Sequence, residues 1–120
     1  MSNADDENLP QIGRSILSAE RRTHILDGDG RGGGGHGPGR GIPGKSEFPP
    51  NWTDEHVIDA IMSVADDISA RREVTGSGRT VVAGTRDGIE IHVVIGRDGR
   101  TIVTAYPVNT SRNPLGRSAK

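Results

Sequence analysis

Two histidines, His24 and His36, lie at either end of a glycine-rich segment and are well suited to acid–base chemistry. From residue 28 to residue 44, ten of the seventeen positions are glycine. Glycine permits positive φ angles and close approach of the backbone to a ligand, although ordering such a loop costs conformational entropy. An imidazole exchanges a proton near neutral pH, so a pair can supply both a base and an acid. We interpret the segment as one open wall of an active site, in which flexible glycines let His36 swing towards His24.

The composition is typical of one small domain with a modest core. The chain has 120 residues, 31% of them hydrophobic, and its aromatic residues are Phe48, Trp52 and Tyr106. The core must therefore consist mainly of Ile, Val and Leu. With a formal net charge of −1, contacts with nucleic acid must come from local clusters of Lys and Arg. The chain has no cysteine, which excludes disulfides and thiolate chemistry, and no apolar stretch of membrane-spanning length, so we expect no membrane anchor.

The ends of the chain are polar. We expect residues 1–10 to be a disordered tail or a remnant of cloning, residues 11–114 to form one domain, and residues 115–120 to be a second disordered tail. Met1–Ala4 is typical of a cloning remnant, in which case the natural protein is longer.

Two helical regions are predicted before the strands. Apolar positions from Pro10 to Leu26 recur at steps of three and four and predict one or two short helices, with His24 in the last turn and Gly28 just past the C-terminus. A further helix is predicted over residues 54–70, with Thr53 as its N-cap. Its apolar face comprises Val57, Ile58, Ile61, Ala65 and Ile68.

The last third of the chain predicts an antiparallel meander. Thr80–Thr85, Ile89–Ile95 and Thr101–Tyr106 are β-branched runs separated by turns that contain Asp-Gly. Alternation in the middle run places one of its faces in the core. The predicted fold class is therefore α+β, with N-terminal helices packed on a small antiparallel sheet.

Some local motifs carry little weight. Gly39–Ser46 matches the phosphate-loop pattern and Gly28–Gly33 the dinucleotide pattern, but neither follows a predicted strand or opens a helix, so we reject both. We expect His56 to be a surface residue. We expect His92 to lie at the surface or to take part in a cross-strand contact. An alternative reading of the glycine segment stays open: with Arg31 and Arg40 it could be a basic arm of a non-catalytic RNA- or protein-binding module.

Several blocks in one order carry a family resemblance. The blocks HILDGD, GGGGH, GKSEFPPNWTDEHVIDAI and TAYPVNTSRNP resemble the bacterial EndoU-type ribonuclease domain, between about Arg21 and Pro114. That domain occurs as the C-terminal toxin of contact-dependent inhibition and other polymorphic toxin systems. The resemblance implies a fold of the barnase–EndoU–colicin–RelE group, in which helices pack against an antiparallel sheet.

The resemblance also implies the site residues. His24 and His36 would be the general acid and base, in an order that the sequence does not assign, and Thr104 and Tyr106 the third catalytic element. Strand alternation places Thr104 and Tyr106 on one face. Relatives often have an arginine directly after the second histidine, where this chain has Gly37. The substrate-binding candidates are Lys45, Arg40, Arg31 and a backbone N–H of the glycine loop at Gly35.

The implied activity is metal-independent cleavage of RNA to a 2′,3′-cyclic phosphate and a 5′-hydroxyl. No carboxylate cluster with ligand spacing accompanies the two histidines, so we expect no metal and no cofactor. The slightly acidic balance favours recognition of a structured target such as tRNA over charge-driven binding. By resemblance, we expect a monomeric toxin domain with a cognate immunity protein, delivered from the producing bacterium and acting in the target-cell cytoplasm.

Overall fold

The structure, a computed structural model, describes residues 15–115 and contains there two helices and a four-stranded antiparallel sheet. The elements are α1 (Ala19–Asp27), α2 (Asp54–Ala65), β1 (Arg71–Val74), β2 (Thr80–Arg86), β3 (Ile89–Ile95) and β4 (Ile102–Pro107). The strands follow one another across the sheet in chain order. The two helices and the antiparallel sheet are consistent with the predicted α+β class. The predicted tail at residues 1–10, the possible helical turn before residue 15 and residues 116–120 lie outside the described residues.

Helix α1 has the predicted end but a later start. Its N-cap is Ser18, whose side chain accepts a hydrogen bond from the backbone of the first turn. His24 lies in the last turn and Gly28 caps the C-terminus with φ +86°, as predicted. Before the helix, Ile16 is extended and forms an isolated bridge beside Thr101, so the described part of that region is only partly helical.

Helix α2 begins as predicted and ends five residues early. Thr53 is its N-cap and accepts a hydrogen bond from the His56 N–H at 3.0 Å. The helix stops at Ala65 because the chain must turn into β1, from which Arg72 donates to the carbonyl oxygen of Ala65 at 3.2 Å. Ile68, predicted on the apolar face, is 92% exposed. Both the predicted end and that core assignment are wrong.

The sheet has one covered face and one open face. Ile91, Val93 and Ile95 of β3 point into the core, where both helices bury their apolar sides. His92 lies on the opposite face and pairs across the strands with Tyr106 of β4. Strand β1 was not predicted, because its four residues are all exposed and show no apolar alternation.

The glycine loop is tied to its surroundings by backbone hydrogen bonds. The His36 N–H donates to the carbonyl oxygen of Ile25 at 2.7 Å, and the His36 carbonyl accepts from Phe48 at 2.9 Å. Glu47 accepts from the backbone of Gly39 at 2.9 Å and of Gly41 at 2.6 Å. These bonds hold the loop in one position, whereas the composition predicted a flexible loop in which His36 could swing.

The rejected phosphate-loop motif has no phosphate-loop geometry. Ser46, its last residue, pairs with Arg112 in an isolated antiparallel bridge, and the next helix begins only at Asp54. The helix that a phosphate loop needs directly after it is therefore missing at this place. Within residues 15–115, neither helix has the length and apolar character needed to cross a membrane.

Candidate active site

A cavity of about 610 Å³ lies between the glycine loop and the end of β4. Its wall includes His36, Lys45, Ser46, Tyr106 and Arg112. Residues from three separate parts of the sequence, 32–36, 43–46 and 106–112, thus meet at one edge of the sheet. The combination of an imidazole, a phenol and two cations suits a phosphodiester ligand.

His36 is buried and held in one orientation. The residue is only 9% exposed, and its Nδ1 lies 2.7 Å from the carbonyl oxygen of Ser46. A carbonyl oxygen only accepts hydrogen bonds, so Nδ1 carries the proton and Nε2 of the neutral ring has the free lone pair. Burial lowers the pKa of His36, and the charges of Lys45 and Arg112 lower it further, whereas the bond to Ser46 opposes the shift.

His24 lies next to the same loop and has a carboxylate partner. Its Nδ1 is 4.0 Å from Oδ2 of Asp29, whose other oxygen accepts from the backbone of Arg31 at 2.7 Å and of Gly33 at 3.0 Å. Burial and the charge of Arg21 lower the pKa of His24, and Asp29 opposes this shift. His24 is not among the cavity-lining residues. The positive charge of Lys45 nevertheless lowers the pKa of both His24 and His36.

Tyr106 connects the sheet to the cavity. Its ring centroid is 5.8 Å from that of His36, with an angle of 45° between the ring planes. Thr104 pairs with Val94 and Tyr106 with His92, which places Thr104 and Tyr106 on the same open face, as strand alternation predicts. Tyr106 lines the cavity and Thr104 does not.

The basic candidates have different surroundings. The Lys45 ammonium lines the cavity and donates to the carbonyl oxygen of Gly32. Arg40 instead forms ion pairs with Asp54 and Asp27, each at 2.9 Å, and these carboxylates, Asp54 above all, raise the pKa of Arg40 well above its usual range. Arg40 therefore joins the end of α1 to the start of α2. Arg31 is exposed and outside the cavity wall.

The backbone N–H of Gly35 is occupied within the protein. It donates to the carbonyl oxygens of His24 at 3.0 Å and Ile25 at 3.1 Å. Gly35 thus ties the loop to the last turn of α1 and does not line the cavity.

Sequence reasoning missed Ser46 and Arg112. Ser46 donates from Oγ to the carbonyl oxygen of Pro107 at 2.9 Å, and Arg112 donates from Nη1 to that of Gly44 at 3.1 Å. The backbone of Lys45 accepts from Asn113 at 2.8 Å, so residues 44–46 and 112–114 run side by side. The one available signal was that the resembling block continued past β4 to Pro114.

A comparison with protein-family models decides the identity of the domain. The model described as Bacterial EndoU nuclease matches residues 39–109, more than half of the chain. The chain belongs to the bacterial EndoU nuclease family. Family membership implies an endoribonuclease, an enzyme that cuts RNA at internal positions. Searches of curated proteins and of solved structures gave no match.

The matched range covers only part of the candidate site. Lys45, Thr104 and Tyr106 lie inside it, whereas His24 and His36 precede it. The assignment of the two histidines thus rests on their geometry and on the resemblance of their flanking residues. Among the described residues of this EndoU domain, no group of three or more His, Cys, Asp or Glu side chains is arranged to hold a metal ion.

Proposed function

We propose that this EndoU domain is an endoribonuclease toxin that cleaves RNA by metal-independent transphosphorylation. The 2′-oxygen of a ribose bonds to the adjacent phosphorus while the bond from phosphorus to the 5′-oxygen breaks. The products are a 2′,3′-cyclic phosphate and a 5′-hydroxyl end. The observation that carries the proposal is the presence of His36, Tyr106 and Lys45 in one cavity wall, in a member of this nuclease family. His24 lies against the same glycine loop, at Gly33 and Gly34.

His36 is the general base. Its Nδ1–H is committed to the carbonyl oxygen of Ser46, so the lone pair on Nε2 is free to take the proton of the 2′-hydroxyl. Burial lowers the pKa of His36, which keeps the ring neutral near pH 7 and able to accept that proton.

His24 is the general acid. Its neighbour Asp29 favours the protonated ring and offsets part of the effect of burial, which lowers the pKa of His24. Bonds from the backbone of Arg31 and Gly33 lower the pKa of Asp29 and keep that carboxylate charged. A bound phosphate adds further negative charge and favours protonation. The charged ring then donates its proton to the departing 5′-oxygen.

Charge on the pentavalent phosphorus is balanced from the cavity wall. Lys45 and Arg112 supply positive charge, and the Tyr106 hydroxyl supplies a hydrogen bond. Thr104 lies on the same face of β4 as Tyr106. It contacts the ribose or phosphate of an RNA strand that extends over the sheet. Arg40 and Gly35 have structural roles in this scheme, because their donors are bonded within the protein.

The substrate we propose is a structured RNA such as tRNA. The formal net charge of −1 gives little general attraction for polyanions, so selection must depend on shape around the local cations. The family resemblance adds a cognate immunity protein as partner, a monomeric toxin domain, delivery from the producing bacterium and action in the cytoplasm of the target cell.

The test is incubation with total RNA, and separately with tRNA, in the presence of EDTA. Discrete fragments ending in 2′,3′-cyclic phosphates are expected. His24→Ala and His36→Ala should each lower the rate about 10²–10⁴-fold. Because His36 is buried and bonded to Ser46, each variant is assayed below its own unfolding transition. His56→Ala is the control, since His56 pairs with Asp87 away from the cavity. Binding of RNA without cleavage would favour the non-catalytic binding module instead.

A further inference from the structure

Tyr106 lies between two imidazole rings. One is His36 in the cavity, and the other is His92 on the neighbouring strand β3, whose ring centroid is 5.9 Å from that of Tyr106 at an angle of 50°. The sheet register places His92 directly opposite Tyr106. Side chains at such cross-strand positions are close enough to restrict one another. Tyr106 is thus in contact with the catalytic loop on one side and with the open sheet face on the other.

His92 is itself fixed. Its Nε2–H donates to Oε2 of Glu90 at 3.2 Å, two residues earlier on the same face of β3. The backbone of Glu90 is bonded at both groups: its carbonyl accepts from Val108 at 2.9 Å, and its N–H donates to the Asn109 side chain at 2.9 Å. The chain immediately after Tyr106 therefore fixes the backbone of Glu90, and the carboxylate of Glu90 contacts both His92 at 3.2 Å and Arg71 at 3.9 Å.

We infer that His92, oriented by Glu90, is a positioning residue for Tyr106 in RNA cleavage. Tyr106 is only partly buried, and both helices pack against the other face of the sheet. The His92 ring on β3 restricts the phenol next to the sheet, while His36 adjoins it from the loop, and together they keep the hydroxyl in the cavity. The kinetic part of this inference rests on the proposed ribonuclease function. Small errors in the position of a catalytic group are costly, because the hydroxyl must meet a transient charge.

His56 provides a matched control within the same chain. Its Nε2 lies 3.1 Å from Oδ2 of Asp87, much like the pair of His92 and Glu90. Its ring stacks on Trp52 with a centroid distance of 4.2 Å, remote from Tyr106. A histidine paired with a carboxylate is thus present at both places, but only His92 contacts the proposed catalytic tyrosine.

The kinetic experiment compares substitutions at these two positions. His92→Ala should lower kcat for RNA about tenfold with KM changed less than about twofold. His92→Phe keeps an aromatic ring beside Tyr106 and should restore most of kcat, whereas His92→Gln keeps a polar group and should not. His56→Ala should match the wild type. A normal kcat in His92→Ala, or rescue by Gln and not by Phe, would overturn the inference.

A second readout does not depend on cleavage. Tyr106 is the only tyrosine in the chain, so labelled tyrosine gives signals from this ring alone. Magnetisation transfer between the ring protons of Tyr106 and His36 should weaken in His92→Gln and persist in His92→Phe and His56→Ala. Equal transfer in all variants would contradict positioning. If the wild type cleaves no RNA, the proposed function fails while this measurement still decides whether His92 holds Tyr106.

Discussion

His36 is joined to the last strand through Ser46. The carbonyl oxygen of Ser46 accepts from His36 Nδ1 at 2.7 Å, while its hydroxyl donates to the carbonyl oxygen of Pro107 at 2.9 Å. Pro107 directly follows Tyr106, so one residue fixes the imidazole relative to the phenol. It also fixes the tautomer, because the carbonyl requires the proton on Nδ1. The proposed general base is thus oriented by a contact that no sequence motif reveals.

The pH dependence of stability should report the burial of His36. Burial lowers the pKa of His36 in the folded protein, so below the ordinary value near 6.5 the unfolded chain binds more protons than the native state. The free energy of unfolding should therefore rise with pH through the range just below about 6.5. Denaturant unfolding between pH 5 and pH 7 measures this. His36→Gln should flatten the rise, and an unchanged slope would contradict the assignment of the titrating group.

Arg40→Gln should reduce stability and leave catalysis nearly intact. The substitution removes the ion pairs with Asp27 and Asp54, which should lower the free energy of unfolding by about 1 kcal/mol. Below the unfolding transition, kcat and KM should stay near the wild-type values. Arg31→Gln is the control for charge, since it removes an exposed cation. A weaker affinity for RNA at unchanged stability would show that Arg40 contacts phosphate after all.

Arg112→Ala should weaken binding of RNA. Arg112 lines the cavity and is exposed, so removing it should raise KM severalfold and reduce the slope of log affinity against log salt by about 1. The measurement is KM over a series of salt concentrations. Arg79→Ala removes an equal charge near the opposite edge of the sheet and should leave the slope closer to that of the wild type. Equal effects of the two substitutions would indicate general charge attraction.

Gly34→Ala should damage both the fold of the loop and cleavage. Gly34 has φ +65°, and an added Cβ would overlap the carbonyl oxygen of His24. Gly30 has a similar φ of +77° with open space around it. Gly30→Ala should therefore cost only the backbone strain, about 1–2 kcal/mol, and keep activity at low temperature. Thermal unfolding and cleavage rates of both variants are measured. Gly30→Ala reports backbone strain alone, and Gly34→Ala reports strain together with the steric overlap of the added Cβ. Similar behaviour of both would contradict close packing of the loop on α1.

The sequence predicted those helix ends that depend on a residue at the helix end itself. Thr53 starts α2 because its side chain caps a neighbouring N–H, and Gly28 ends α1 because it adopts a positive φ. The end of α2 could not be read in this way, since Arg72 of β1 bonds its final carbonyl. Strand β1 has no apolar alternation, so its pairing with β2 was visible only in the folded protein.

The candidate site was predicted where it depends on residue type. His24, His36, Lys45 and Tyr106 were found from their chemistry and the family resemblance, and the structure places the last three in one cavity wall. Arg112 escaped notice because its place depends on pairing with a segment far away along the chain. The same holds for the ion pairs of Arg40, whose partners lie on two different helices.

The pairing of residues 44–46 with residues 112–114 affects when the cavity can exist. Gly44 and Arg112 are 68 positions apart, and one wall is missing until both have been synthesised and brought together. A ribosome-bound chain that stops short of Arg112, or a chain threaded in extended form through a narrow pore, has its histidines but no cavity. The proposed cleavage of RNA should therefore begin only after this pairing has formed, and not while the chain is being synthesised or is held extended.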